Sequence, residues 1–240
     1  MEYDSLMGKY FDTVTPPIIQ HEGRIRDFVG DAVMSVFMAE KPQKSVRQNA
    51  CQAALEILAE LDLFNRDQSK KQQAPTRIGL HTDWIVYGRT VGDAGNTASS
   101  IEGLNKLLST CILASEDTVF DLDEFLFRGA GSFILPGKDH SLDIVEVMGL
   151  RTGAEESQLE LCARFSDVLK AFESENWPRT AQLCQEILSD FPDDGPAHFF
   201  LDLSNCYRHA KPPSNPTLIQ IGSDLDSNLK TGRTHLESPP

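Results

Sequence analysis

Asp31 stands behind a glycine and ahead of a nearly unbroken apolar run, in the stretch Asp27-Phe-Val-Gly-Asp-Ala-Val-Met-Ser-Val-Phe37. A carboxylate at the mouth of an apolar core suits a hard cation, because Mg²⁺ is usually held through one or two carboxylates together with substrate phosphates. The same spacing also fits a turn aspartate that hydrogen-bonds its own backbone. Other titratable residues group less tightly. His81 follows an apolar run and reads as a packing or hydrogen-bonding residue rather than a base, and His140, His198 and His209 have no ligand-like neighbours. Cys51, Cys111, Cys162, Cys184 and Cys206 form no C-x-x-C pair. They read as buried free thiols of a reducing compartment, not as a zinc site or a disulfide frame.

The elements that must position these residues follow from periodicity. Leu6, Tyr10, Phe11 and Val14 recur at helical spacing until Pro16-Pro17, which predicts a helix broken there. Arg24 to Phe28 alternates like a strand near solvent, and a tight hairpin leads to Val33, Met34, Val36 and Phe37. With no polar face, that second strand is expected to be central in a sheet and covered on both sides. Ser45 is placed to cap a helix whose apolar stripe runs from Val46 to Phe64, and Asn65 to Pro75 reads as a loop. Short strands are expected at Arg77–Leu80 and Trp84–Tyr87, a turn-rich segment at Gly88–Asp93, and a helix over Gly95–Lys106. A strand at Cys111–Ala114, a short helix from Ser115 to Leu122, and strands at Phe125–Arg128 and Leu142–Val147 complete an alternation that indicates an α/β sheet domain.

Composition changes after Arg151. Thr152 to Ser157 is polar, and three helical stretches follow, at Leu159–Phe172, Trp177–Leu188 and Pro196–Tyr207, the last two separated by Phe191-Pro-Asp-Asp-Gly-Pro196. Beyond Lys211 the Pro, Ser, Asn and Asp content predicts a disordered end.

The chain has 240 residues, 40% of them hydrophobic and 24% charged, the balance of an ordinary globular protein long enough to bury a real core. No run approaches the ~18 apolar residues of a membrane helix. Acidic and basic residues interrupt the first twenty positions, so these do not read as a secretory signal, and a cytoplasmic location is the default expectation. A net charge of −14 argues against nucleic-acid or anionic-membrane partners, which need clustered Lys and Arg.

Several stretches taken in order, Tyr10-Phe11, Ile18-Ile19, His21-Glu-Gly23, Phe28 to Phe37, Ile78-Gly-Leu-His-Thr82, Gly92-Asp93 with Asn96 and Ala98, Ile101 to Lys106, Leu135-Pro-Gly-Lys138 and Leu142 to Val147, resemble the class III nucleotide cyclase catalytic domain. This is the adenylate and guanylate cyclase family, and the resemblance covers roughly residues 5 to 149. It implies an α+β sandwich with a ferredoxin-like core, working as a homo- or heterodimer with active sites at the subunit interface. The helical segment 159–210 is similar to a tetratricopeptide-like helix pair with a flanking helix. One such unit cannot bury its own apolar face and must dock on the preceding domain or a partner. The expected organisation is therefore a cyclase-like domain over 1–149, a linker over 150–158, the helical segment, and a disordered tail over 211–240.

The reaction the resemblance implies is attack of the ribose 3′-hydroxyl of ATP, or of GTP, on the α-phosphate, with loss of pyrophosphate. Mg²⁺ or Mn²⁺ and cationic side chains neutralise the developing charge. By resemblance, Asp31 matches the second metal aspartate, and the first belongs to a strand expected before residue 1. Asp27 stands in place of the base-reading lysine, Thr90 is a remnant of the second base reader, and Asn96 matches the ribose asparagine. Ser100 occupies the position of the transition-state arginine, and Lys138 matches a phosphate-binding lysine. The expectation is a cyclase relative impaired in turnover, with a non-catalytic partner-binding domain, or a fragment of a longer cyclase, as the alternatives.

Overall fold

A computed structural model of the chain describes residues 2–41, 43–66, 68, 73, 75–84, 92–209 and 212–221, with side chains from residue 6 onward. The elements run α1 (Glu2–Gln20), β1 (Arg24–Val29), β2 (Ala32–Val36), α2 (Lys44–Arg66), β3 (Ile78–Leu80), α3 (Gly92–Leu108), β4 (Ile112–Ser115), α4 (Glu116–Val119), β5 (Phe125–Ile134), β6 (Leu142–Leu150), α5 (Glu156–Glu173), α6 (Trp177–Asp190), α7 (Gly195–His209) and β7 (Leu218–Gln220). Five strands form one sheet in the order β3-β4-β6-β5-β7, with β3 parallel to β4, β7 parallel to β5, and the remaining pairs antiparallel. The fold is α+β.

Alternation along the central strands sorts the core into two layers. On β4, Leu113 faces a cluster with Ile101, Leu104 and Leu108 of α3, while Ile112 and Ala114 face Cys51 and Ala54 of α2. On β6, Ile144 joins the first cluster and Val147 the second. The sheet is thus covered by α2 and α4 on one face. On the other lie α3 and the C-terminal helices, whose Phe165, Phe172, Phe199 and Phe200 share the cluster of Phe133 and Leu135. The docking that the apolar face of the helical segment requires is met by the chain's own sheet.

The hairpin differs from expectation. β2 pairs only with β1, in a separate two-stranded sheet, and its residues are exposed or half-buried rather than covered on both sides. Val33 and Phe37 do pack, together with Ile25 and Ile78, against Val14 and Ile18 of α1 and Ile57 and Leu61 of α2. An apolar run reports burial against something, and here helices supply it on one face only. β1 is largely exposed, as its alternation predicts.

Helix α1 runs through Pro16 and Pro17 without ending there. Pro17 is buried, Val14 and Ile18 pack against Ile57 and Leu61 of α2, and this packing offsets the cost of proline inside a helix, about 3 kcal/mol. Helix α2 starts at Lys44, so Ser45 lies inside it rather than capping it. Ser115 does precede α4, but its hydroxyl makes no capping bond. The expected linker is short, since α5 already begins at Glu156 behind a capping box of Glu155 and Gln158. Within the end expected to be disordered, Leu218–Gln220 forms β7 and buries Ile219. Of the thiols, Cys51 and Cys184 are buried and pushed up to about 12 by that burial, whereas Cys111 is exposed and Cys162 and Cys206 are half-buried.

Candidate functional site

Helix α3 carries the candidate side chains because it sits unusually close to β3. A Cβ at Gly79 would lie 2.1 Å from the Ala98 carbonyl oxygen and 2.4 Å from the Glu102 nitrogen, so only glycine permits this approach. Asn105 locks the same contact, its side-chain amide donating to the Ile78 carbonyl at 3.0 Å. Held this way, α3 presents Asp93, Asn96 and Ser100 at i, i+3 and i+7, neighbours on one helical face. Asn96 is exposed and Ser100 half-buried.

Lys138 reaches this face from the β5–β6 connection. Leu135-Pro-Gly-Lys138 is a turn closed by the Lys138 N–H donating to the Leu135 carbonyl at 3.0 Å. Gly137 has φ +78°, the left-handed conformation that a type II turn needs after proline. The Lys138 ammonium lies 2.8 Å from Asp93 Oδ2, with the lysine side chain 13% exposed and the aspartate 77% exposed. The hydrogen bond and charge of Lys138 hold the Asp93 carboxyl below its ordinary range.

His81, at the end of β3, completes the cluster. Its Nδ1 is 2.9 Å from Ser115 Oγ at the end of β4, and that hydroxyl is 3.0 Å from Thr118 Oγ1. Burial lowers the His81 pKa, and Lys138 adds to the effect against Asp83, Asp117 and Asp93. A neutral imidazole tied to a buried hydroxyl fits the hydrogen-bonding role read from the sequence. The cluster sits where the parallel pair β3 and β4 ends, the side on which open α/β sheets place ligands. Asp93 and Ser115 were not read as site residues from the sequence. Their signal was a carboxylate in the first turn of α3 and two polar residues at the ends of paired strands.

Among the described residues, the remaining candidates share no hydrogen bond with this cluster. Asp31 is exposed in the two-residue turn of the β1–β2 hairpin, and Asp27 is exposed with Oδ1 accepting from the Phe28 N–H at 2.9 Å. Neither hydrogen-bonds to α3 or to Lys138. Thr90, with the Trp84–Tyr87 strand from residue 85 on and most of the turn-rich segment after it, lies outside the described residues. A divalent cation finds no complete donor set here: among the described residues, no three His, Cys, Asp or Glu side chains gather as ligands, and Asp31 stands as a single exposed carboxylate. What the α3 face offers is one cation, one carboxylate, one amide and one hydroxyl.

No family model matches the chain. Residues of the chain are 32% identical over 162 positions to adenylate cyclase 1 of Rhizobium meliloti (strain 1021), covering 62% of this chain and 24% of that protein. They are 25% identical over 223 positions to the terminal-differentiation-specific adenylate cyclase of Dictyostelium discoideum, covering 85% of this chain and 10% of that protein. The chain thus spans a quarter or less of the length of these relatives. Among solved structures it is similar to the adenylate/guanylate cyclase/hydrolase from Silicibacter pomeroyi, with a TM-score of 0.48 and 23% identity over 61% of this chain and 86% of that one. The fold is a sheet domain of mixed α+β type with its polar cluster at the strand ends. Over the matched residues the chain is similar in sequence to adenylate cyclases, and this similarity supports a domain of the class III cyclase type.

Proposed function

We propose that this chain is a cyclase-type nucleotide-binding domain that engages ATP, or GTP, in a site shared with a second cyclase domain, and that its own turnover is impaired. The observation that carries this reading is the contact of Lys138 with Asp93, which sets the lysine against the α3 face that bears Asn96 and has a serine at position 100. In the family reaction the O3′–Pα bond forms, the bond from Pα to the leaving oxygen breaks, pyrophosphate departs with that electron pair, and the 3′ proton passes to solvent. Lys138 meets phosphate oxygens as a point charge, and the Asn96 amide holds the ribose. Ser100 adds a neutral hydroxyl where a guanidinium would oppose the charge of the transition state. Loss of one such donor lowers rates by ~10²–10³.

The metal chemistry of the reaction would need a second carboxylate beside Asp31, so no step is assigned to Mg²⁺ or Mn²⁺ here. A partner-binding role in place of catalysis draws support from Phe28 and Val29, which flank the Asp31 turn and are 50% and 61% exposed. Such apolar exposure beside a site suits an interface with another cyclase domain. We assign the protein to the cytoplasm; among the described residues no helix is long and apolar enough to cross a membrane.

The test incubates purified protein with Mn²⁺ and labelled ATP and measures cyclic AMP. The expected result is ATP binding that weakens in K138A and N96A, with cyclic AMP at background. Cyclic AMP formed well above background by the chain alone overturns the impaired reading. ATP binding that is absent, or indifferent to both substitutions, removes the nucleotide site.

A further inference from the structure

Lys138 is the cation that the proposed phosphate site depends on, and it is not free. Its ammonium is 2.8 Å from Asp93 Oδ2, and most of its side chain is buried, so its charge is delivered to one place. That place lies in the first turn of α3, where a carboxylate is also favoured by the helix dipole. His81, whose Nδ1 lies 2.9 Å from Ser115 Oγ, is neutral or cationic and so brings no negative charge to compete for Lys138. A phosphate approaching the ammonium therefore meets a carboxylate already in its position, on a chain whose net charge is −14.

We propose that Asp93 is an affinity-setting residue of this site, an internal counter-ion that a polyphosphate must displace before Lys138 can bind it. The inference rests on the reading of Lys138 as a phosphate ligand and adds what regulates that contact. Displacement is feasible because the two partners differ in freedom. Lys138 is held by the closed turn and its burial, whereas the Asp93 side chain is 77% exposed and can swing into water. With the aspartate largely in water the pair is screened and contributes little, so the exchange is a modest barrier rather than a lock. Asp93 acts through Lys138 and has no direct part in the chemistry.

The experiment titrates the full chain with tripolyphosphate at low salt and without metal, followed by ³¹P NMR, in wild type, D93N, D93S and D93N/K138A. Tripolyphosphate has neither base nor ribose, so the result stands apart from whether the protein recognises or turns over ATP. Serine is included because it is well tolerated at helix N-termini and covers the case in which D93N folds poorly. D93N and D93S are expected to bind about fivefold more tightly than wild type, the scale of one solvent-screened ion pair. The gain is expected to vanish in D93N/K138A. In parallel, acylation of Lys138 by an amine reagent, read by peptide mass spectrometry, is expected to rise severalfold in D93N. Equal affinity across wild type and the Asp93 variants, including no binding in any, overturns the proposal. So does a gain that survives K138A, which would assign it to net charge alone.

Discussion

Ser100 lies one helical turn beyond Asn96 on the face that Lys138 approaches, and it is half-buried. A guanidinium placed there would add donors that a phosphate can accept in pairs. S100R is therefore expected to tighten ATP binding about tenfold, the worth of one charged hydrogen bond, in calorimetric titration. No gain would mean that the α3 face does not meet phosphate. His81 gives a second test at this scale. Its pKa is lowered from an ordinary 6.5 by burial, with Lys138 lowering it further and Asp83, Asp117 and Asp93 opposing. The unfolded chain then binds more protons than the folded one in the window below 6.5. Stability is complete above that value and falls as pH drops through it toward the folded pKa. In urea titrations from pH 7.5 to 5, H81Q is expected to flatten this slope. Of the cluster, Asn96 and Lys138 were singled out from motif order. Their link through Asp93 was not, because it joins residues far apart in sequence and depends on how closely α3 packs on β3.

Elements set these positions, and two of them can be tested separately. At Gly79 both atoms that an added Cβ would strike are backbone, so α3 itself must move. G79A is expected to cost about 3 kcal/mol in chemical denaturation, at the upper end for overpacking, because no side chain can give way. At the other side of the site, β7 pairs with Ser132–Ile134, and the Ile221 N–H donates to the Ile134 carbonyl at 3.0 Å, one residue before the turn that carries Lys138. Ile219 is 1% exposed, so I219A is expected to lose at least about 2 kcal/mol. Faster hydrogen exchange at the Lys138 amide would show that β7 steadies that turn, and unchanged exchange there would confine its effect to the sheet edge. Strand β7 was hidden in the sequence because three residues among Pro, Ser and Asn give no periodicity. The alternation of β1 and the helical spacing in α2 and α5 were legible because each repeats over several turns or pleats. The strand after Asp31 misled because an apolar run records burial without recording which neighbour provides it.

Across the whole molecule, a buried ion triad joins the sheet to the C-terminal helices. Arg128 of β5 donates through Nε to Glu146 of β6 at 2.8 Å, and through its terminal nitrogens to Glu146 and to Asp194. Its guanidinium also lies 5.0 Å from the centre of the Phe165 ring on α5. Burial works against this charge, but the two carboxylates outweigh it and hold the Arg128 pKa above its ordinary value. Asp194 has a second duty, since its Oδ1 accepts from the Ala197 N–H at 2.9 Å and caps α7. Removing that side chain would leave a buried guanidinium with one partner fewer and α7 uncapped. D194A is thus expected to cost about 3–5 kcal/mol, the range for breaking a buried pair from one side. D194N, which keeps an acceptor for Ala197, should cost less. The measurement is urea unfolding followed by far-UV circular dichroism and by tryptophan fluorescence, to which Trp177 of α6, 9% exposed, contributes a buried signal. Because Phe133 of the sheet and Phe199 of α7 occupy one cluster, both probes are expected to report a single transition in the wild type. Separate transitions, with the helices unfolding first and D194A shifting only that phase, would make the C-terminal helices an appendage of the sheet rather than one of its two covering layers.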